Sequence, residues 1–203
     1  MDDTLLKGRT IFVFAEKRGF TDKLLNITNS SRVSYKKTIE IAKLLKGASA
    51  RKLLEIFRNI PLQEHVEDTL TVLKNKGIKT AIVTNSYQFL ADDLKDRLGI
   101  DYAFANNLII KKDIVTGEII INNKTKKKCD NGKIYSICKG HILDHLCNTL
   151  NIDPKEVIAV GDGMIDVGMI KKAGLGIAFN APKEVQKHAD IITNDLKCIL
   201  SYI

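Results

Sequence analysis

Asp162 and Asp166 are the two residues of this sequence best placed to do chemistry. They stand in Gly161-Asp162-Gly163-Met164-Ile165-Asp166, directly after the apolar run Val157-Ile158-Ala159-Val160. That run does not alternate, which marks a strand covered on both faces, as in a parallel sheet. Gly-Asp-Gly ends it, and a helix opens with Met164, Val167, Met169 and Ile170 among its apolar positions and Gly174 as its stop. The two carboxylates therefore lie past the carboxyl end of a strand, where open α/β sheets place ligands. Oxygen donors in that position suit a hard cation such as Mg²⁺. The same ten residues are equally compatible with a purely structural arrangement, Asp162 capping the helix and Asp166 solvated on its surface.

Two other strand or helix ends add to this pair. Thr84-Asn85 follows the short apolar run Ala81-Ile82-Val83, and Lys139 opens a helix carrying Ile142, Leu143, Leu146 and Leu150. A hydroxyl, a lysine and two acids at one sheet edge fit phosphoryl transfer, in which Mg²⁺ and lysine spread the charge of the moving group while a hydroxyl and an amide hold one oxygen. No Ser-His or Cys-His pairing supplies a nucleophile. His141 and His145 lack the neighbouring Glu of the zinc-protease pattern and read as helix-surface residues.

The elements that must position these groups fall into two parts. Residues 8–76 carry helical stripes broken by Gly19, Gly47, Pro61 and Gly77, with Thr10 as a helix cap; they read as a helical cap subdomain. From Ile78 onward strand and helix alternate, which predicts a doubly wound parallel sheet. The division expected is residues 1–7 and 77–203 as α/β core, 8–76 as cap. Residues 108–121 alternate weakly around Thr116-Gly117, a hairpin-like signal, and residues 122–132 form a basic loop.

A chain of 203 residues, 44% hydrophobic, can bury one sizeable core with an inserted cap. Its net charge of +8 suits anionic ligands, phosphate esters or nucleic acid, although a Lys-rich solvated surface accounts for it more simply. The lysines of residues 124–128 make a poor nucleic-acid site, being confined to one loop without interleaved aromatics. There is no run of about 18 apolar residues to span a membrane and no leader pattern. The four cysteines form no Cys-x-x-Cys pair, so neither zinc nor redox chemistry is indicated and a reduced, cytoplasmic protein is expected.

Taken together these residues resemble the haloacid dehalogenase superfamily, and within it the phosphoserine-phosphatase-like branch. Asp2 and Thr4 match the end of an Asp-x-Asp-x-Thr motif. Thr84 matches the second motif, Lys139-Gly140 the third, and Gly161-Asp162-Gly163-Met164-Ile165-Asp166 the fourth. The stretch Asp101-Tyr102-Ala103-Phe104-Ala105-Asn106, Thr116-Gly117-Glu118 and a helical cap between the first and second motifs agree as well. The resemblance implies a Mg²⁺-dependent phosphomonoester hydrolase acting through an aspartyl-phosphate. It implies Asp2 as general acid/base and, through its carbonyl, a metal ligand; Asp162 as the metal carboxylate; and Asp166 behind the metal or Lys139. Thr84, the Asn85 amide and Lys139 would hold the phosphoryl group of a small phosphorylated metabolite.

Several positions depart from the family. The nucleophile of Asp-x-Asp-x-Thr would stand one residue before Met1, and the apolar strand leading to it, the central first strand of the sheet, is missing from these residues. The chain as written is expected to be nearly inactive, either as part of a protein that starts upstream, as a decayed remnant or as a phosphate-binding relative. Asp3 would face away from Asp2 on an extended chain and so could not substitute. Arg9 stands where the branch has an acid, the cap arginine aligns with Ile41 or Ala42, Ile165 replaces an Asn, and Asn85-Ser86 replaces two glycines. A guanidinium forks onto anions and not onto amines, so a more anionic substrate is expected.

Overall fold

The computed structural model describes residues 1–203. Four helices follow the opening turn: α1 (Thr10–Arg18), α2 (Thr21–Thr28), α3 (Ser34–Leu44) and α4 (Ala50–Arg58). Each buries one stripe, Phe14 and Ala15 on α1, Leu24 on α2, Ala42 on α3, and Leu53 and Phe57 on α4. Gly19 ends α1 in the left-handed conformation that an L side chain resists, and Ser49 caps α4 by accepting the Lys52 amide. Thr10 is not a cap. It is the first residue of α1, and its hydroxyl is spent on the Asp2 carboxylate.

The fifth helix is α5 (Val66–Asn75). Val66 and Leu73 pack with Ile177, Phe179, Leu196 and Ile199, against strands and the C-terminal 3-10 segment Leu196–Tyr202. Leu70 packs against this cluster and against the one shared by the first four helices. The four cap helices share one apolar cluster with Ile82, Tyr87, Leu90 and Leu94 of the core.

Two three-stranded sheets carry the α/β part. In the first, β1 (Ala81–Tyr87) pairs parallel with β2 (Tyr102–Lys111), after the helix α6 (Gln88–Leu98), and β2 pairs antiparallel with β3 (Ile114–Ile120). In the second, β4 (Ile158–Gly161), β5 (Leu175–Phe179) and β6 (Ile191–Thr193) are all parallel. The helices α7 (Lys139–Leu150), α8 (Val167–Lys172) and α9 (Lys183–Gln186) alternate with these strands. The α/β, doubly wound reading therefore holds, with an antiparallel hairpin added at one edge.

That hairpin turns at Lys112-Asp113, with φ of 48° and 70°, and not at Thr116-Gly117. Positive φ at two adjacent central residues is the twist-matched two-residue connection. Gly117 lies inside β3 at φ 88°, and a Cβ there would sit 3.0 Å from Lys46 Cβ. It marks a close approach to the end of α3, not a turn. Asp113 also serves the cap, accepting from Ser49 Oγ at 2.6 Å and from the Arg51 amide at 2.9 Å.

β1 and β4 are each hydrogen-bonded on one side only. Between them runs a cleft of about 870 Å³ lined by Ile82, Val83, Ile158 and Val160, with α5 and α7 contributing apolar side chains to it. No helix is long and apolar enough to cross a membrane.

Candidate active site

The first eight residues form a turn, not an extended strand. The Leu5 and Leu6 amides both donate to the Met1 carbonyl, at 2.9 and 3.0 Å, and Asp3 takes φ 56°. The expectation that Asp3 must face away from Asp2 assumed extended backbone and does not apply. Its carboxylate lies 4.0 Å from Arg9 Nε, and burial, followed by the charge of Asp162, pushes its pKa above the usual carboxylate range.

Asp2 points into the protein. Its carboxylate accepts from the Thr10 hydroxyl, and burial raises its pKa against the opposing pull of that hydrogen bond. A carboxyl that keeps its proton longer than usual is suited to general-acid work. The Asp2 carbonyl takes none of the hydrogen bonds of the opening turn. The Met1 amino group is buried among Lys139, Asp2, Asp166 and Asp162; burial first, then the lysine charge, lowers its pKa.

At the carboxyl rim of β4 the four polar groups interlock. Thr4 Oγ1 donates to Asp162 Oδ1 at 2.7 Å. The amides of Asp162 and Gly163 donate to Asp166 Oδ2 at 3.2 and 2.9 Å, and Asp166 Oδ1 faces the ammonium of Lys139. Asp166 is thus held by the loop amides through Oδ2 and paired with the lysine through Oδ1. Asp162 keeps its second oxygen without a protein partner. Asp162 does not cap α8, whose cap position is Asp166 with no side-chain cap bond.

Thr84 ends the apolar part of β1, buried, with its Oγ1 accepting the Ser86 amide at 3.2 Å. Asn85 follows on the exposed side of the rim. A polar hub that sequence reasoning missed fixes this loop. Ser136, fully buried, donates to Asn85 Oδ1 and accepts from Thr38 of α3 at 3.3 Å and from Asn106 Nδ2 at 3.1 Å. Asn106 also donates to the Asn85 carbonyl at 2.9 Å. The one available signal was Asn106 closing an apolar run, a polar residue where the pattern called for a buried one. No hydrogen bond or ion pair joins Thr84 or Asn85 to Lys139 or Asp162.

Arg9 lies outside this constellation. Its guanidinium is half-exposed, between Asp3 and the Phe12 ring, 5.2 Å from the ring centroid. Ala42 is fully buried, and Ile165 packs against Cys129, Tyr135 and Cys138. His141 is half-buried and His145 exposed on α7. Lys126 of the basic loop stacks over Tyr35 of α3, 5.4 Å from the centroid, an aromatic partner supplied from outside the loop. All four cysteines are free.

A hard divalent cation fits the rim by donor chemistry. The groups there without a protein partner are oxygens, the second carboxylate oxygen of Asp162 and the Asp2 carbonyl. The protein's share is small, since no three His, Cys, Asp or Glu side chains converge.

A family model described as haloacid dehalogenase-like hydrolase matches residues 1–174. A phosphoserine phosphatase of Methanocaldococcus jannaschii is 32% identical over all of this chain and 94% of its own length. One from Campylobacter jejuni is 33% identical over all of this chain and 96% of its own. A solved structure described as a phospho-aspartyl intermediate analogue of phosphoserine phosphatase superposes with a TM-score of 0.83 at 32% identity, covering all of this chain and 95% of that one.

Proposed function

This chain belongs to the haloacid dehalogenase-like hydrolases, a phosphoserine-phosphatase-like member of them, and on that premise we propose that its site is built for Mg²⁺-dependent hydrolysis of a small phosphate monoester. The observation that carries the reading is the Thr4–Asp162–loop–Asp166–Lys139 network at the rim of β4. Lys139 is buried and held in place by Asp166, so it can meet a phosphoryl oxygen without rearrangement. Thr84 and the Asn85 amide offer hydrogen bonds to the same group from the rim of β1. Asp2, with its raised pKa, gives its proton to the leaving oxygen and then takes one from water.

Asp162 and the Asp2 carbonyl would hold Mg²⁺, with Asp166 orienting Lys139 from behind. When bound, the cation offsets negative charge on the transferring group. In the motif that Asp2 and Thr4 end, the attacking carboxylate would be that of the first Asp, and a similar solved structure is described as a phospho-aspartyl intermediate analogue of phosphoserine phosphatase. The substrate's remainder is anionic, with Arg9 the side chain at hand to meet it after release from Asp3.

The test is hydrolysis of p-nitrophenyl phosphate with Mg²⁺ by the 203-residue chain and by a form extended upstream through an apolar strand ending in Asp. Turnover by the extended form, abolished by Lys139→Ala, supports the reading. Tight phosphate binding without turnover in the extended form would replace it with a phosphate-binding relative.

A further inference from the structure

We propose that Cys129 and Cys138 are a reversible disulfide pair, and that closing it loosens the rim that carries Lys139 and Asp166. The two thiols stand nine positions apart, a spacing that matches no paired-cysteine motif, yet the fold brings them together. Both are buried, at 9% and 5% exposure, in one small cluster with Tyr135. Their side chains are in hydrogen-bond contact, so only a small gap separates the sulfurs from the disulfide length of about 2.05 Å. Cys147 packs instead with Leu143 and Ala159, and Cys198 against the cluster of Val66 and Leu73.

One side must move to close that gap. Cys138 is the N-cap of α7, and Leu143 and Cys147 of that helix pack with Ala159 of β4 and Met169 of α8. Cys129 begins a turn in which its carbonyl accepts the Gly132 amide at 2.8 Å. Residues 124–133 contain no helix or strand, and Cys129 is their only buried residue. The turn therefore yields and the helix stays. The turn also touches the fourth-motif loop. Asn131 Nδ2 donates to the Met164 carbonyl at 3.4 Å, and Ile165 packs on the two cysteines and Tyr135. A bond that long is the first to be lost. Drawing the turn toward α7 shifts residues 164–165, inside the loop whose Asp162 and Gly163 amides hold Asp166. Lys139, the residue after Cys138, then loses part of its support.

The oxidant is a low-molecular-weight disulfide, which reaches the pair by local opening of the exposed turn. Burial and the contact with Cys138 push the Cys129 thiol up to about 12, so Cys138 is the attacking sulfur. It gives its proton to water and attacks one sulfur of the oxidant, whose S–S bond breaks and releases one small thiol. Cys129 then loses its proton and attacks the Cys138 sulfur, releasing the second small thiol. The two cysteines are oxidised and the small disulfide is reduced to two thiols. At pH 8 about one Cys129 in ten thousand is thiolate, but a neighbouring group reacts as if at about 10⁵ M, so the second step completes. The disulfide does not depend on the phosphatase reading; its effect on phosphate does.

The test treats the folded 203-residue chain with oxidised glutathione, maps its peptides by mass without reduction, and titrates inorganic phosphate by calorimetry before oxidation, after it and after dithiothreitol. The chain and its Cys198→Ser variant should lose two hydrogens, join the peptides of Cys129 and Cys138, and bind phosphate at least about fivefold more weakly, with dithiothreitol restoring both. Cys129→Ser, Cys138→Ser and Cys129→Ala, the last needing no hydrogen bond, should show neither change. Glutathione retained on single cysteines without a 129–138 link, or a link formed only in urea, overturns the pair. A link with unchanged phosphate affinity overturns its effect on the rim. If the reduced chain binds no phosphate, the phosphatase reading falls with that effect, and the peptide map alone decides the disulfide.

Discussion

Lys139 and Asp166 form an ion pair that neither residue shares with solvent, their side chains being 8% and 2% exposed. Removing one partner strands the other charge in the interior, which costs about 3–5 kcal/mol. Asp166→Ala is therefore expected to destabilise the protein by roughly that amount, and Lys139→Met by a similar amount. The double variant Lys139→Met/Asp166→Leu should recover most of the loss, because it leaves no unpaired charge. Urea unfolding of the two single variants and the double variant measures the coupling; simple additivity would show that the pair is not isolated from water.

Gly161 exists for Asp166. A Cβ at position 161 would lie 2.3 Å from Asp166 Cβ and 2.5 Å from Cγ. Gly161→Ala must push the carboxylate off the Asp162 and Gly163 amides, and overpacking of this kind costs about 1–3 kcal/mol. The expected result is a stability loss in that range, together with weaker binding of inorganic phosphate because Lys139 loses its support. Isothermal titration with phosphate separates this from a purely structural effect at Gly174, where an added Cβ would meet Lys155 O at 1.8 Å.

What could be read from the sequence was local. The fourth motif places strand, turn and acid within ten residues, so the unalternating run before Asp162 located both β4 and the rim. Contacts made through an irregular turn left no such trace. Thr10 looked like a helix cap because hydroxyls precede helices; its actual partner, Asp2, is reached only through the left-handed backbone at Asp3. Gly117 looked like a turn because glycine is permissive, but the permission is used for contact with Lys46. The real turn at Lys112-Asp113 carries no glycine. The Ser136 hub joins residues 38, 85, 106 and 136, and no periodicity links positions so far apart.

Ser136 ties the cap to the rim of β1. Ser136→Ala removes an acceptor from Asn106 Nδ2 and Thr38 Oγ1 and a donor from Asn85 Oδ1. Buried polar groups left unpaired cost about 1–3 kcal/mol. The variant should lose stability in that range, and Ser136→Cys, a weaker donor of similar shape, should fall between the two. If Asn85 is positioned through this hub, phosphate affinity falls as well, while Thr125→Ala in the exposed loop leaves it unchanged. Denaturation and phosphate titration of the same variants check both parts.

Cys129 should be the slowest thiol to alkylate, although it lies beside the site. Burial first, then its hydrogen bond with Cys138, pushes its pKa up to about 12. Only the thiolate attacks iodoacetamide, so at pH 8 about one molecule in ten thousand is reactive at that position. Burial also raises the pKa of Cys147. Cys198 is the one cysteine not buried and should be modified first. The sign follows from the raised pKa: raising the pH from 8 to 9 increases the Cys129 rate about tenfold, since the thiolate fraction is still far from saturation. Timed alkylation with peptide mass analysis reads this directly. Labelling of Cys129 at the rate of Cys198 in folded protein would mean that the pocket formed with Tyr135 and Cys138 is open.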